Sequence, residues 1–218
     1  MTAPAETARV SDVLILPIFP LPDVTFFPHT FLPLHVFESR YRAMVTDALA
    51  RDRRIAVVQL RPGYEARYEG KPEVFAVTGA GEIVNCERLA SGRFNILVRG
   101  QWRIRIETEI PSDTLYRVVR ARRLVEEPPT DDVAAVVGRI RRTCKRLLEA
   151  LDRPVDVLDG ALAADEAAGA IADRVAAAFL PDPALRQSLL ETLNVGERLR
   201  RVSAALDDLA NELKGGRE

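Results

Sequence analysis

Five prolines and five phenylalanines crowd residues 13–45, VLILPIFPLPDVTFFPHTFLPLHVFESRYRAMV, and no other stretch restricts the fold as much. Each proline fixes φ and removes a backbone donor, so Pro17, Pro20, Pro22, Pro28 and Pro33 mark strand ends, edges and turns rather than the middle of a central strand. Residues 13–18 are an apolar run that reads as a buried strand. After Phe37-Glu38 the spacing changes: Tyr41, Met44 and Val45 fall at helical steps of three and four. The segment is an extended apolar unit that turns twice and delivers a helix, and none of its residue types is overtly chemical.

The first helix is expected over about residues 39–50, with Glu38 or Ser39 at its amino end. Residues 54–60 read as a short β-branched strand closed by the turn Arg61-Pro62-Gly63. Residues 73–86 read as a strand with a bulge or barrel corner at Gly79-Ala80-Gly81. Ser91-Gly92 marks a hairpin. Residues 94–107 alternate around Gly100 and set Trp102 on the face opposite Arg103 and Arg105; residues 115–125 are a further strand. The sum is six or seven mostly antiparallel strands with one helix inserted early.

At Glu126-Glu127-Pro128-Pro129-Thr130 the pattern turns helical, with Thr130 as a candidate cap. Val133, Val136, Val137, Ile140, Cys144, Leu147, Leu148 and Leu151 form one stripe. Ile171, Val175 and Phe179 mark a helix over 165–179, ended by Leu180-Pro181. Asp182 and Pro183 fit the N-cap and first position of another helix. Asn194-Val195-Gly196-Glu197 resembles a capping box and opens a last helix with Leu199, Val202, Leu206 and Leu209 on one face, a stripe narrow enough to be a self-association seam. The expected organisation is α+β: a disordered lead over 1–12, a β domain over 13–126, a helical bundle over 127–213 with a loop at 151–164, and a frayed tail over 214–218.

The opening string resembles the Lon substrate-binding domain, the amino-terminal module of Lon-type ATP-dependent proteases, also found in cereblon and in short stand-alone bacterial proteins. The family pattern runs P-x-F-P-L, then F-P-G-x-x-L-P-L-x-I-F-E-x-R-Y-x-x-M. Pro17, Phe19, Pro20 and Leu21 match its first part, and Phe27, Pro28, Leu32, Pro33, Leu34, Phe37, Glu38, Arg40, Tyr41 and Met44 its second. His29 replaces the family glycine and Ser39 a common proline. A type II turn at Pro28-His29 requires positive φ at residue 29, which histidine tolerates better than most residues. Further along, Gly79, Ile83, Gly100, Arg103 and Ile106 match the middle of the family pattern; Leu180, Pro181, Gln187, Leu189, Leu190, Glu191, Arg198 and Leu199 match its helical end. The resemblance implies a PUA-like β-barrel followed by a small helical bundle, and polypeptide as the ligand: unfolded clients, or a specific partner in protein quality control. It implies no cofactor.

Composition narrows the alternatives. The net charge is −1, which argues against duplex DNA. No run of eighteen apolar residues exists, so no membrane span is expected, and MTAPAETARV lacks the basic start and apolar core of a secretory signal. Cys86 and Cys144 give no disulfide framework, and a cytoplasmic location follows as the economical expectation. Residues 63–72 have the wrong spacing for a P-loop, and Pro72 stands where a hydroxyl is needed. Lys145 sits among Arg141, Arg142 and Arg146 on a solvated face and pairs with no serine elbow. His29 and His35 have no cysteine nearby. No catalytic or metal-binding residue is therefore assigned.

Arginines over 99–105 and 117–123 could line a strip for RNA, the runner-up partner; paired with Glu107, Glu109 and Glu126 they would be ordinary solvated strand faces. The positive signal is apolar. Phe26, Phe27 and Phe31, around the Pro28-His29 turn, are more aromatic surface than a small barrel easily turns inward, and they are the candidate polypeptide-binding patch.

Overall fold

The β1 strand (Val13–Leu21) is the hub of the sheet, parallel to β3 (Arg54–Gln59) on one side and antiparallel to β6 (Val118–Arg123) on the other. The computed structural model describes residues 12–67, 70–156, 158, 162–163 and 166–215. The lead expected over 1–12 lies outside the described residues except for Asp12, as do 216–218 of the tail and parts of the loop at 151–164.

The architecture is mixed α+β. Six strands join in the order β2-β5-β4-β3-β1-β6, and β5 also pairs β6, so β1, β3, β4, β5 and β6 close a cycle. The long β5 (Phe94–Ile110) makes this arrangement possible. Its first half pairs β2 (Phe31–Val36), its second half pairs β6, and β4 (Val77–Arg88) runs along its other edge. The β4–β5 register shifts opposite Ala80 and Gly81, but the extra residue is Gln101 of β5, so the bulge expected within Gly79-Ala80-Gly81 falls on the facing strand. The hairpin at Ser91-Gly92 forms, with Gly92 at φ 76.

Helix α1 (Ser39–Leu49) lays Tyr41, Met44, Val45 and Ala48 on the sheet against Phe19, Ile55, Val57 and Val98. Leu16, Ile18, Val58, Ile104 and Val119 form a second cluster. Among the described residues four helices follow the sheet: α2 (Ala134–Ala150), α3 (Ala168–Phe179), α4 (Pro183–Glu191) and α5 (Val195–Gly215). Their stripes bury Ile140, Leu147, Ile171, Val175, Leu199, Val202 and Leu206 in a third cluster, each large aliphatic side chain stabilising the fold by roughly 1.5–3 kcal/mol. The stripe expected as a self-association seam is thus filled within the chain, because α5 packs against α2 and α3.

The helix starts are chemically specified. Asp182 Oδ1 accepts from the Ala184 N–H at 2.9 Å, with Pro183 at the first position. Asn194 Oδ1 accepts from the Glu197 N–H at 2.9 Å. Thr130 is not the cap of α2. The Glu127 backbone pairs with Leu193 and Val195 just before the prolines, the chain bends at residues 130–131, and Asp132 Oδ1 serves the Ala134 N–H at 2.8 Å instead. Among the described residues no helix is long and apolar enough to cross a membrane.

Candidate functional site

Residues 22–30 connect β1 to β2 by crossing the sheet over two glycines. A Cβ on Gly79 would lie 1.9 Å from the Phe26 carbonyl oxygen, and one on Gly100 would lie 2.1 Å from that of Phe27. Only a residue without a side chain permits so close an approach. His29 takes φ 61, the positive value its turn demands. Its N–H donates to Gly100 O at 3.0 Å, and the Gly100 N–H donates to Thr30 O at 2.8 Å. Two helix arginines pin the crossing: Arg174 Nε donates to His29 O at 3.1 Å and Arg186 Nη2 to Asp23 O at 2.7 Å.

This crossing redistributes the expected patch. Phe26 enters the cluster under α1, Phe27 enters the helical cluster, and Pro28 is buried as well. Of Phe26, Phe27, Pro28, His29 and Phe31, only His29 and Phe31 reach the surface. Bare glycines let the loop sink onto the sheet, so its two adjacent rings turn into two different cores and not, as expected, onto the surface.

The exposed aromatic rings of this stretch lie instead along β2 and just past it. Phe31 is 61% exposed and Phe37 59%, with Pro33 and His35 exposed between them. The His35 and Phe37 rings stack with centroids 6.2 Å apart. Polar ladders border this surface: His35 Nδ1 and Asn95 Oδ1 are 2.8 Å apart, Asn95 Nδ2 donates to Glu87 Oε2 at 2.8 Å, and Arg99 Nη2 donates to Glu82 Oε2 at 3.2 Å.

Several other motif residues pack against one another. Phe19 and Tyr41 pack with ring centroids 4.3 Å apart. Arg40 lies 4.6 Å over the Tyr41 ring and donates from Nε to Glu38 Oε2 at 2.9 Å. Pro20 is buried and Leu21 half-buried. A cavity of about 310 Å³ opens beside this group, lined by Arg40, Tyr41, Lys71, Glu109, Tyr116 and Arg117. A second, of about 390 Å³ and mostly apolar, lies among the helices at Leu147, Leu151, Val175, Phe179 and Leu209.

Most arginines of the expected strip are engaged within the chain. Arg120 and Arg122 lie 3.4 and 2.8 Å from Glu107, and Arg117 lies 3.1 Å from Glu109. Arg123 stacks 4.1 Å from the Trp102 ring centroid. Arg103 is buried. As expected from the alternation it faces away from Trp102, but that face is covered by helices.

Arg103 belongs to a charge cluster, buried except for the half-buried Glu126, that no local sequence pattern indicates. Its Nη1 donates to Glu126 Oε1 at 2.6 Å and to Asp173 Oδ2 at 2.9 Å, its Nη2 donates to Asp173 Oδ1, and its Nε donates to Leu190 O at 3.0 Å. Arg198 joins from α5: its Nε lies 3.2 Å from Asp173 Oδ1, and its Nη1 donates to Thr192 O at 2.7 Å. The side chains of Asp173 and Arg198 are both 0% exposed. Burial pushes the Asp173 carboxyl up and the Arg198 guanidinium down, while the opposite charges within the cluster resist both changes. The available signal was an aspartate one turn after Gly169 and three residues before Ala176, on the buried face of an alanine-rich helix. Among the described residues no three His, Cys, Asp or Glu side chains gather as metal ligands.

Comparison with known proteins points one way. A family model described as the ATP-dependent protease La (LON) substrate-binding domain matches residues 15–208. The chain is 32% identical over 225 residues to a Lon protease of Roseiflexus castenholzii, covering all of this chain and 27% of that protein. It is 27% identical over 197 residues to Lon protease 1 of Syntrophobacter fumaroxidans, covering 88% of this chain and 23% of that one. The chain thus spans about a quarter of the length of these curated relatives. Among solved structures, the N-terminal domain of a Mycobacterium avium complex Lon protease superimposes with TM-score 0.72 at 20% identity, over 89% of this chain and 99% of that one. A Lon N-terminal domain protein from Xanthomonas campestris gives 0.61 at 22% identity, over 88% and 98%.

Proposed function

The chain belongs to the Lon substrate-binding domain family, and we propose on that premise that it is a non-enzymatic polypeptide-recognition module acting in protein quality control or as an adaptor. Its site is the aromatic surface of β2. The observation that carries this reading is the exposure of Phe31 and Phe37 at the two ends of one row, with Pro33 and His35 between them, a strip bordered by internally paired charges, in a family described by substrate binding. Such a strip suits the apolar side chains of an unfolded chain better than a charged ligand. The closed strand cycle is read as the PUA-like barrel of a β unit over 13–126, with the helices over 127–213 as its support. Two free cysteines fit a cytoplasmic setting.

The test is fluorescence anisotropy of a labelled, permanently unfolded polypeptide titrated with the protein, with single-stranded RNA alongside at matched salt. Saturable polypeptide binding that survives added salt, and that Phe31→Ser with Phe37→Ser removes without lowering the melting temperature, is the expected result. RNA binding that fades steeply with salt, with no polypeptide binding, overturns the reading.

A further inference from the structure

The β2–β5 ladder determines which backbone groups of β2 are already used. The Gly100 N–H donates to Thr30 O, and the first paired residues are Phe31 and Arg99. In an antiparallel pair, hydrogen-bonded and non-bonded positions alternate. Thr30 therefore turns its C=O, and Leu32, Leu34 and Val36 turn their N–H and C=O groups, towards β5, and Phe31, Pro33 and His35 turn theirs outward. Pro33 falls in the outward set, where its missing N–H costs the sheet nothing. Strand β2 ends the strand order, so among the described residues no strand covers this edge.

We propose that polypeptide is bound here by strand addition. An extended segment of an unfolded chain pairs along the outer edge of β2. It accepts from the N–H groups of Phe31 and His35 and donates to the C=O groups of Phe31, Pro33 and His35. Its alternate apolar side chains lie against Phe31 and Phe37. This deepens the polypeptide-recognition reading and rests on it.

The edge itself selects its occupant. A row of outward N–H and C=O groups is complementary to another backbone in the extended state and to little else. A second copy of β2 is a poor fit. Antiparallel pairing about the middle of the strand would set Pro33 against Pro33, and both central donors would be missing. A client segment has its own N–H to place opposite the Pro33 carbonyl. The neighbouring charges are opposite in sign and paired with each other, Arg99 with Glu82, so recognition is by backbone and apolar contact and persists in salt.

The experiment uses the whole chain, nitrogen-15 labelled, and a decapeptide alternating valine and threonine with a lysine at each end. Amide hydrogen exchange is read with and without saturating peptide. Without peptide, the Phe31 and His35 amides exchange at least about tenfold faster than those of Leu32 and Leu34; with peptide, both slow by about tenfold or more. His35→Pro deletes the second outward donor and weakens peptide binding about tenfold, the effect of one lost hydrogen bond. If that variant melts early, the exchange result on the natural sequence still decides. Saturable binding that leaves both amides unprotected overturns strand addition and keeps polypeptide recognition. Protection that grows with protein concentration and no peptide assigns the edge to a second copy and overturns it as well. Binding of neither the decapeptide nor the unfolded polypeptide overturns both readings.

Discussion

Replacing Asp173 with alanine is the sharpest test of how the sheet and helices are joined. Asp173 faces Arg103 from β5 and Arg198 from α5, and the side chains of all three residues are at most 1% exposed. The substitution leaves two guanidiniums in a dry interior with Glu126 as their one remaining carboxylate partner in the cluster. Backbone oxygens of Leu190 and Thr192 still accept from them, but these supply no compensating charge. Breaking a buried pair by removing one partner costs roughly 3–5 kcal/mol. For a chain of this length each kcal/mol moves the melting temperature by about 2–4 °C, so Asp173→Ala should lower it by about 6–20 °C. Urea unfolding followed by circular dichroism gives the free energy directly, and an unchanged slope shows that the native and denatured states are otherwise alike. Asp173→Asn keeps the shape without the charge and should fall between. Adding Arg103→Met to Asp173→Ala should cost less than the sum of the two single changes, because the stranded charge is removed with its partner. A loss below about 1 kcal/mol for Asp173→Ala, at constant slope, would refute the view that the cluster is dry and mutually dependent.

Three further outcomes are expected. Gly100→Ala, whose Cβ would meet Phe27 O at 2.1 Å, should destabilise by at least about 1–3 kcal/mol in the same urea assay, with the cost falling on the crossing. Tyr116 donates to Asp47 Oδ2 at 2.7 Å, and burial followed by that bond pushes its phenol up to about 12; because the unfolded phenol ionises near pH 10, stability is full below about pH 10 and falls as pH rises towards about 12, and Tyr116→Phe should lose that dependence. Burial pushes the Cys144 thiol up to about 12, so iodoacetamide at about pH 8 should modify it only after denaturation, and mass spectrometry showing native modification at the rate of half-buried Cys86 would contradict its placement.

Local chemistry was legible in the sequence, and long-range covering was not. Pro33 marked an edge strand, His29 a positive-φ turn, and Asp182 and Asn194 helix starts, because each of those outcomes depends on a residue and its immediate neighbours; Pro17 and Pro20, read in the same way, lie instead inside β1, between β3 and β6, where Pro17 ends the pairing with β6 and Pro20 pairs with β3. Phe26 and Phe27 could not be assigned the same way: their burial depends on Gly79 and Gly100, far along the chain, admitting the loop onto the sheet. Alternation put Arg103 on the correct face of β5, but nothing local indicates that α3 and α5 cover that face. The last-helix stripe at Leu199, Val202 and Leu206 was legible as apolar, while its partner, helices of its own chain, was not. Phe31 kept its place on the surface because β2 is the strand that closes no cycle.

One peptide bond joins Phe26 to Phe27, and their rings are anchored in different cores. Swinging the helices away from the sheet would have to extract Phe27 or lift the crossing off Gly100, and the crossing cannot slide without withdrawing Phe26. The connection works as a latch with two bolts on one shaft. Sheet and helices should therefore open together as one cooperative unit rather than fray apart, and tension applied by a polypeptide held on β2 would be shared by the whole fold.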